Sequence, residues 1–505
     1  LVLLAGGVIA TMSLQGCRHR GAKSGASVAD RPTLTPPAAR ESGTRRVLLD
    51  GSFDDWPSDR SMLGDPDWVY FRVRLEGGVM PLQAGNETLS LWLDADGDPT
   101  TGAKMPEPAE AGTLGVDLVV EFSPIGEQGG ISRGARAIAY DAAGANRTVL
   151  KASSVGVLAA PTYGASEFEV RLDRHSEQGK RFARGMGERG GRVSGMFVLT
   201  DAAGKIVGWS DPEKTTLPKA GSASGKSEAL VPSKPKGAVR VMSYNVLKSS
   251  LTSNPAPFGR LIQVVQPDIV LFQEWDTDAA SATSWLSATV NGQTSWHARA
   301  GKNVVIVSSW PMEAIGPEQL SLPVGAGSGP SPDVRFIAAR VKTNAGDVIV
   351  GTTHLKCCGT AGSAEDERRI AEANIINQSL RGTMGSSMGG PPAMRVLGGD
   401  LNLVGSRAPL DLLRAGLDGN GTELGVAEAR VLGDSAFYTW RDDATDFPPG
   451  RLDYLLYGET SAHLINAFVL DTRRLGDRAL ASMGLNRGDT DTSDHLPVVI
   501  DIAPR

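Results

Sequence analysis

Short apolar runs recur through the second half of the chain, and each of them closes on a polar residue. Val239–Asn245 alternates as a strand and ends on Tyr244-Asn245, and 269–274 is a continuous apolar run ending on Glu274. Further strands are expected at 304–308, 336–341, 348–353 and 395–400. Two helices fit between them. The first covers 258–265, with Phe258, Leu261, Ile262 and Val265 on one face; the second runs from a Ser363 cap to Leu380, with Ile370, Ala373, Ile376 and Leu380 inward. Strands alternating with helices in this way predict an α/β protein with mixed sheets.

The first half reads differently. Strand-like runs at 68–75, 88–93, 116–122, 135–140, 167–172 and 192–200 are separated by Gly- and Pro-rich turns, which predicts an all-β sandwich. Residues 217–237 are rich in Pro, Lys, Gly and Ser and read as a linker. The expected organisation is therefore a signal segment at 1–17, a flexible tether at 18–45, a β-sandwich domain at 46–216, the linker, and a catalytic domain at 238–505. A length of 505 residues is ample for two cores.

The N-terminus changes the picture of location. The apolar run Leu1–Ala10 followed by Leu14-Gln15-Gly16-Cys17 is similar to a bacterial lipobox, which implies export and a lipid anchor on Cys17 in the cell envelope. With only Cys357 and Cys358 beyond it, adjacent in sequence, a disulfide framework is excluded and two buried thiols are expected. Charge narrows the partners. The net charge is −6, and residues 238–505 carry about 23 Lys and Arg against about 29 Asp and Glu, so a broad basic nucleic-acid surface is not expected.

Candidate chemistry sits at the strand ends. Asn245, Glu274, His354, Asp400, Asn402, Asp453, Asp494 and His495 bring amide, carboxylate and imidazole groups to equivalent places on successive strands. In Gly398-Gly399-Asp400-Leu401-Asn402, strand alternation puts Asp400 and Asn402 on one side and leaves the glycines to admit a large group against the backbone. A carboxylate and an amide so placed suit a water and a phosphate oxygen near a hard cation. In the first half, Asp94, Asp96 and Asp98 alternate in a Gly-containing loop able to offer oxygens to Ca²⁺, without the glutamate an EF-hand requires. Trp56, Trp68 and Trp92 could form a platform for polysaccharide, although aromatics in a sandwich are more often core.

Gly399-Asp400-Leu401-Asn402, Arg451-Leu452-Asp453-Tyr454 and Ser493-Asp494-His495-Leu496-Pro497, in this order, resemble the endonuclease/exonuclease/phosphatase superfamily over 238–505. The resemblance implies a four-layer fold, two mixed β-sheets packed between helices. It also implies a Mg²⁺ site (Mn²⁺ a substitute) at Asn245 and Glu274 with Asp494 nearby, and a His495 oriented by Asp453. Asp400 would position or deprotonate the attacking water, Asn402 would steady it, and His354 would donate to a non-bridging phosphate oxygen. Where such proteins often show Ser-Arg, this chain has Ser308-Ser309-Trp310-Pro311, so a phosphate-facing arginine is missing from that segment. Leu48-Leu49-Asp50-Gly51 with Asp54-Asp55-Trp56, and Leu91-Trp92-Leu93-Asp94, resemble carbohydrate-binding-like β-sandwich domains of secreted bacterial proteins.

The implied function is metal-dependent hydrolysis of a phosphoester: a nucleic acid, a phospholipid head group or a small phosphodiester. The alternative is a non-catalytic envelope adhesion or carbohydrate-binding protein with an inactive hydrolase-like domain.

Overall fold

The computed structural model describes residues 47–76, 78–126, 129–176, 191–220, 226–290, 295–323, 331–384 and 393–505. Cys17 and the 18–45 tether lie outside these residues. None of the described helices is long and apolar enough to cross a membrane.

The first half is built from two antiparallel sheets. One runs Met62–Gly64, Trp68–Arg74, Glu167–Asp173, Leu158–Ala160; the other centres on Thr88–Asp94 between Gly191–Thr200 and Leu118–Phe122. Val69, Phe71 and Val170 from the first meet Leu89, Leu91 and Val120 from the second in one apolar core. Strand alternation produces that core, because the residues between these point away from it.

The second half holds two mixed sheets. The seven-stranded sheet places Val239–Asn245 at its centre, parallel to Ile269–Gln273 and antiparallel to Val498–Pro504. The six-stranded sheet centres on Gly346–His354 parallel to Met394–Asp400, with Asp453–Tyr457 antiparallel beyond it. Val241, Ile269 and Ile500 pack face to face against Val348, Val350 and Val396. Helices Pro255–Val265 and Ala279–Thr289 cover the outer face of the first sheet, and Ala364–Met384 with Ala408–Arg414 the outer face of the second. These are the four layers that the resemblance implied.

From Val47 on, both halves belong to one compact unit. Arg171 and Asp434 form a fully buried ion pair across them, at 2.5 Å, and Leu49 N donates to Ser435 O. Within the segment read as a linker, Leu217 ends a strand on Gly191–Thr200, Ser227 N donates to Arg474 O, and Lys234 pairs with Asp268.

Two expectations from the first half need correction. Trp56 is buried and donates to Glu169 Oε2, while Trp68 is buried beneath the Arg171 and Arg474 guanidiniums. Neither can join an exposed platform for polysaccharide. The two adjacent thiols are not both buried either: Cys357 is half-buried and Cys358 exposed, and both are free.

Candidate active site

The strand ends meet as the register dictates. His354 stands opposite Asp400 on one ladder, and Asp400 opposite Asp453 on the next. Gly398 and Gly399 make this possible, for a reason other than an approaching ligand. A Cβ on Gly399, whose φ is +134°, would strike Thr353 O, and one on Gly398 would strike Tyr454 O and Leu455. The glycines therefore serve the neighbouring strands.

Asp400 is the hub. Its Oδ2 accepts from Asn245 Nδ2 at 3.1 Å and Asn402 Nδ2 at 3.0 Å, and its Oδ1 from Asn402 N at 2.9 Å. His354 Nε2 lies 3.5 Å and His495 Nε2 3.6 Å from the same Oδ2. Asn402 gets there by leaving the strand, with φ +47°, a conformation Asn tolerates, so side-chain alternation is not what places it. Burial pushes the Asp400 carboxyl up to about 7, against the pull of His495.

Asp453 Oδ2 lies 2.8 Å from His495 Nδ1 and accepts from Thr439 Oγ1 at 2.7 Å. Burial alone would depress the His495 imidazole, but Asp453 and then Asp400 outweigh it and raise it to about 10. His495 is therefore an imidazolium at neutral pH, with Nε2–H facing Asp400.

His354 has the opposite character. Burial first, then Arg335 and His495, hold it well below the ordinary histidine range, so it is neutral. Asn303 Nδ2 donates to Asp276 at 2.6 Å, which turns Asn303 Oδ1 toward His354 Nδ1 at 2.8 Å. Arg335 Nη1 lies over the same ring edge, 3.0 Å from Nδ1 and 3.2 Å from Nε2; with the ring's proton on Nδ1 toward Asn303, only Nε2 can accept from it.

On the other side of Asp400, Asn245 Nδ2 is also 3.3 Å from Glu274 Oε1. Glu274 follows its strand with φ +56°, a strained position for a non-glycine residue, and reaches the cleft half-exposed. Asp494 lines the same cleft; Trp440 Nε1 holds its Oδ2 at 2.9 Å, while its buried Oδ1 has no partner.

Every residue expected from the sequence thus reaches this neighbourhood. Arg335 and Asn303 were not expected; Thr439 and Trp440 come from the segment before Asp453, where Thr439 Oγ1 donates to Asp453 and Trp440 Nε1 to Asp494. Arg335 answers the absence at Ser309-Trp310: an arginine arrives from between two other strands.

Residues 242–495, half of the chain, match the family model described as the Endonuclease/Exonuclease/phosphatase family. The chain belongs to that family. No curated protein matches it. Solved structures similar to it include the human Nocturnin catalytic domain with bound sulfate, at 17% identity over 54% of this chain and 97% of that one, with a TM-score of 0.37. Truncated Caenorhabditis elegans TDP2 is similar at 17% identity, 53% and 98% coverage and TM-score 0.36. Sphingomyelinase C from Streptomyces griseocarneus is similar at 17% identity, 52% and 99% coverage and TM-score 0.35.

A second acidic group lies in the first half. Ligand oxygens of Asp94, Asp96 and Asp117 fall within 4.8 Å of one another. Asp98, expected in this set, instead accepts from Thr100 N and Oγ1 in its own turn. Asp117 replaces it because Leu93 pairs with Leu118 on the adjacent strand. Asp94 is buried, and its Oδ1 has no partner.

Proposed function

We propose that this chain is a divalent-metal-dependent phosphoester hydrolase of the phosphodiesterase or nuclease type. The observation that supports it best is Asp400, poised near neutrality between a charged His495 and the Asn245–Glu274 pair. Glu274 and Asp494 offer carboxylate oxygens that fit a hard cation, and the orphaned Asp494 Oδ1 is a buried acceptor in want of a positive partner. Asn245 would join them by turning its amide, since Nδ2 now faces Glu274 and Asp400 and Oδ1 accepts from Leu247 N. These three would hold Mg²⁺, or Mn²⁺ in its place. The cation would supply charge stabilisation to the phosphoryl group.

The chain's own residues do the rest. Asp400, with its carboxyl near 7, takes a proton from the water whose oxygen attacks phosphorus. Asn402 fixes the carboxylate for this through two hydrogen bonds. As the bond from phosphorus to the leaving oxygen breaks, His495 gives that oxygen the Nε2 proton. Asp453 stabilises the imidazolium until then and fixes its tautomer. The products are an alcohol and a phosphate carrying one ester fewer; Asp400 has gained a proton and His495 has lost one, and 3.6 Å separates them for its return. Arg335, rather than the neutral His354, donates to the non-bridging oxygens where charge builds. His354 positions that guanidinium.

Hydrolysis of bis(p-nitrophenyl) phosphate by the full chain, with and without EDTA, tests the reading. Turnover that needs Mg²⁺ or Mn²⁺ supports it; no turnover with any metal supports the non-catalytic alternative.

A structural Ca²⁺ at Asp94, Asp96 and Asp117 is part of the proposal, supported by the buried, unpartnered Asp94 Oδ1. So is an envelope location through a lipidated Cys17, supported by the Leu14-Gln15-Gly16-Cys17 sequence alone. A Cys17→Ser variant found in the soluble fraction, still active, would agree with it; one that stays with the membrane would not.

A further inference from the structure

The catalytic cleft has a roof, and the roof comes from the first half of the chain. The cleft of about 390 Å³ that holds Glu274, Asp400 and His495 is lined on one side by Pro81, Gln83, Ala84, Arg133 and Thr162. Its Glu274–His354 end borders a second, more open cleft of about 740 Å³ with no described residue of the first half in its lining. Small-molecule sites span about 300–1,000 Å³, so the space under the roof has the size of a compact ligand.

The roof is tied down on both flanks by backbone. Ala135 N donates to Asp446 O at 2.7 Å, and Gly164 N to Gly405 O at 2.7 Å. Arg451 N donates to Thr162 Oγ1 at 2.9 Å, and Lys151 Nζ to Ala444 O at 2.9 Å. Gly134, with φ +92°, approaches so closely that a Cβ there would meet Asp446 O at 2.6 Å. The loop carrying Pro81–Ala84 is braced in turn, since Gly134 N donates to Gln83 O and Ser123 Oγ to Leu82 O. Removing the roof would therefore require breaking contacts across the whole seam between the halves.

Two features of the walls say what fits. Trp440, Phe447, Pro448 and Leu452 give the cleft an apolar side next to the catalytic polar end. Phe447 is 38% exposed, a large ring left in the opening. On the roof, Arg133 is exposed, and its guanidinium forms no ion pair with another described residue. A guanidinium that lines the cleft with no ion-pair partner among the described residues suits a second anionic group.

Resting on the hydrolase reading, we infer that the site takes a compact phosphoester with an apolar or aromatic substituent beside the scissile phosphate and a second anionic group bound by Arg133, and that the N-terminal sheets impose this choice. The roof stands in the way of duplex nucleic acid and packed lipid surfaces on its side of the site.

The test uses the full chain and four substrates: a thymidine dinucleotide, the same dinucleotide with a 5′-phosphate, supercoiled plasmid, and phosphatidylserine vesicles. The 5′-phosphate should raise kcat/KM by at least about tenfold, the strength of one charge-assisted contact. Arg133→Gln should erase that gain by raising KM for the phosphorylated dinucleotide, with kcat unchanged and the plain dinucleotide unaffected. Its melting temperature should match wild type, because Arg133 is on the surface. Equal rates on the two dinucleotides, or a loss in Arg133→Gln common to both, would overturn the role of Arg133. Plasmid or vesicles cleaved as readily as the dinucleotides would overturn the roof's role while leaving the hydrolase reading intact. Hydrolysis of none of these, nor of bis(p-nitrophenyl) phosphate, would overturn both.

Discussion

Asp453 and His495 are joined by a 2.8 Å hydrogen bond between a buried carboxylate and a buried imidazole, 42 positions apart in sequence. Thr439 Oγ1 fixes the same carboxylate oxygen and itself accepts from Leu452 N and Asp453 N. An Asp453→Asn exchange keeps the shape but removes the charge that holds His495 protonated. It should cost about 10–100-fold in kcat, the usual loss when an orienting partner is removed. Steady-state kinetics with Mg²⁺ saturating would check this, and an unchanged kcat would mean that His495 needs no orientation.

Arg335 is expected to act on the phosphoryl group. Arg335→Ala should lower kcat by about 10²–10³-fold, as for the loss of one donor to developing charge. Arg335→Lys should restore part of it, since a single ammonium supplies charge without the planar fork. If His354→Ala instead proves the more damaging and Arg335→Ala is neutral, the donor has been misassigned.

Most of the site was legible in the sequence because its members flank apolar strands: Asn245, Glu274, His354 and Asp400 come at strand ends, whereas Asp453 opens Asp453–Tyr457 and Asp494-His495 precede Val498–Pro504. Arg335 was not. It sits singly before the strand Phe336–Thr343 and looks like any surface arginine; only the pairing of Phe336 with Thr353 carries it to His354. Asp117 was missed in the same way, since its place beside Asp94 follows from cross-strand register rather than from spacing along one loop. The tie between the halves was hidden too, because Arg171 and Asp434 are 263 positions apart and each alone reads as a solvated charge.

That ion pair should contribute substantially to the stability of the chain. Burial opposes the Asp434 charge, but Arg171 and then Arg474 outweigh it and hold its carboxyl well below the usual range. Arg171→Met should destabilise by about 3 kcal/mol, at the lower end for breaking a buried pair because Arg474 remains 2.9 Å from Asp434. A depressed folded-state pKa contributes stability that is complete above the unfolded value of about 3.9 and lost as pH falls through the folded one. Denaturant titrations should therefore show a wide gap between wild type and variant at pH 7 that narrows below about pH 4. A gap that is constant with pH would assign the loss to packing against Trp68 instead.

Calcium should stabilise the first half. In a Glu274→Gln background, which weakens the hold on the catalytic cation, Ca²⁺ at about 100 times its Kd should add about 2.7 kcal/mol, read as a rise in Tm by calorimetry. Asp117→Asn should abolish the rise. A rise that survives this change would locate the ion elsewhere.

The most direct test of the catalytic account is the rate measured against Mg²⁺ concentration for Glu274→Gln and His495→Ala. Glu274→Gln removes a charged oxygen ligand, so activity should fall at low Mg²⁺ and recover in part as Mg²⁺ is raised. His495→Ala removes the proton donor and should cost about two to four orders of magnitude at every Mg²⁺ concentration. Rescue of His495→Ala by metal, or a Glu274→Gln variant indifferent to it, would contradict the assignment of these residues.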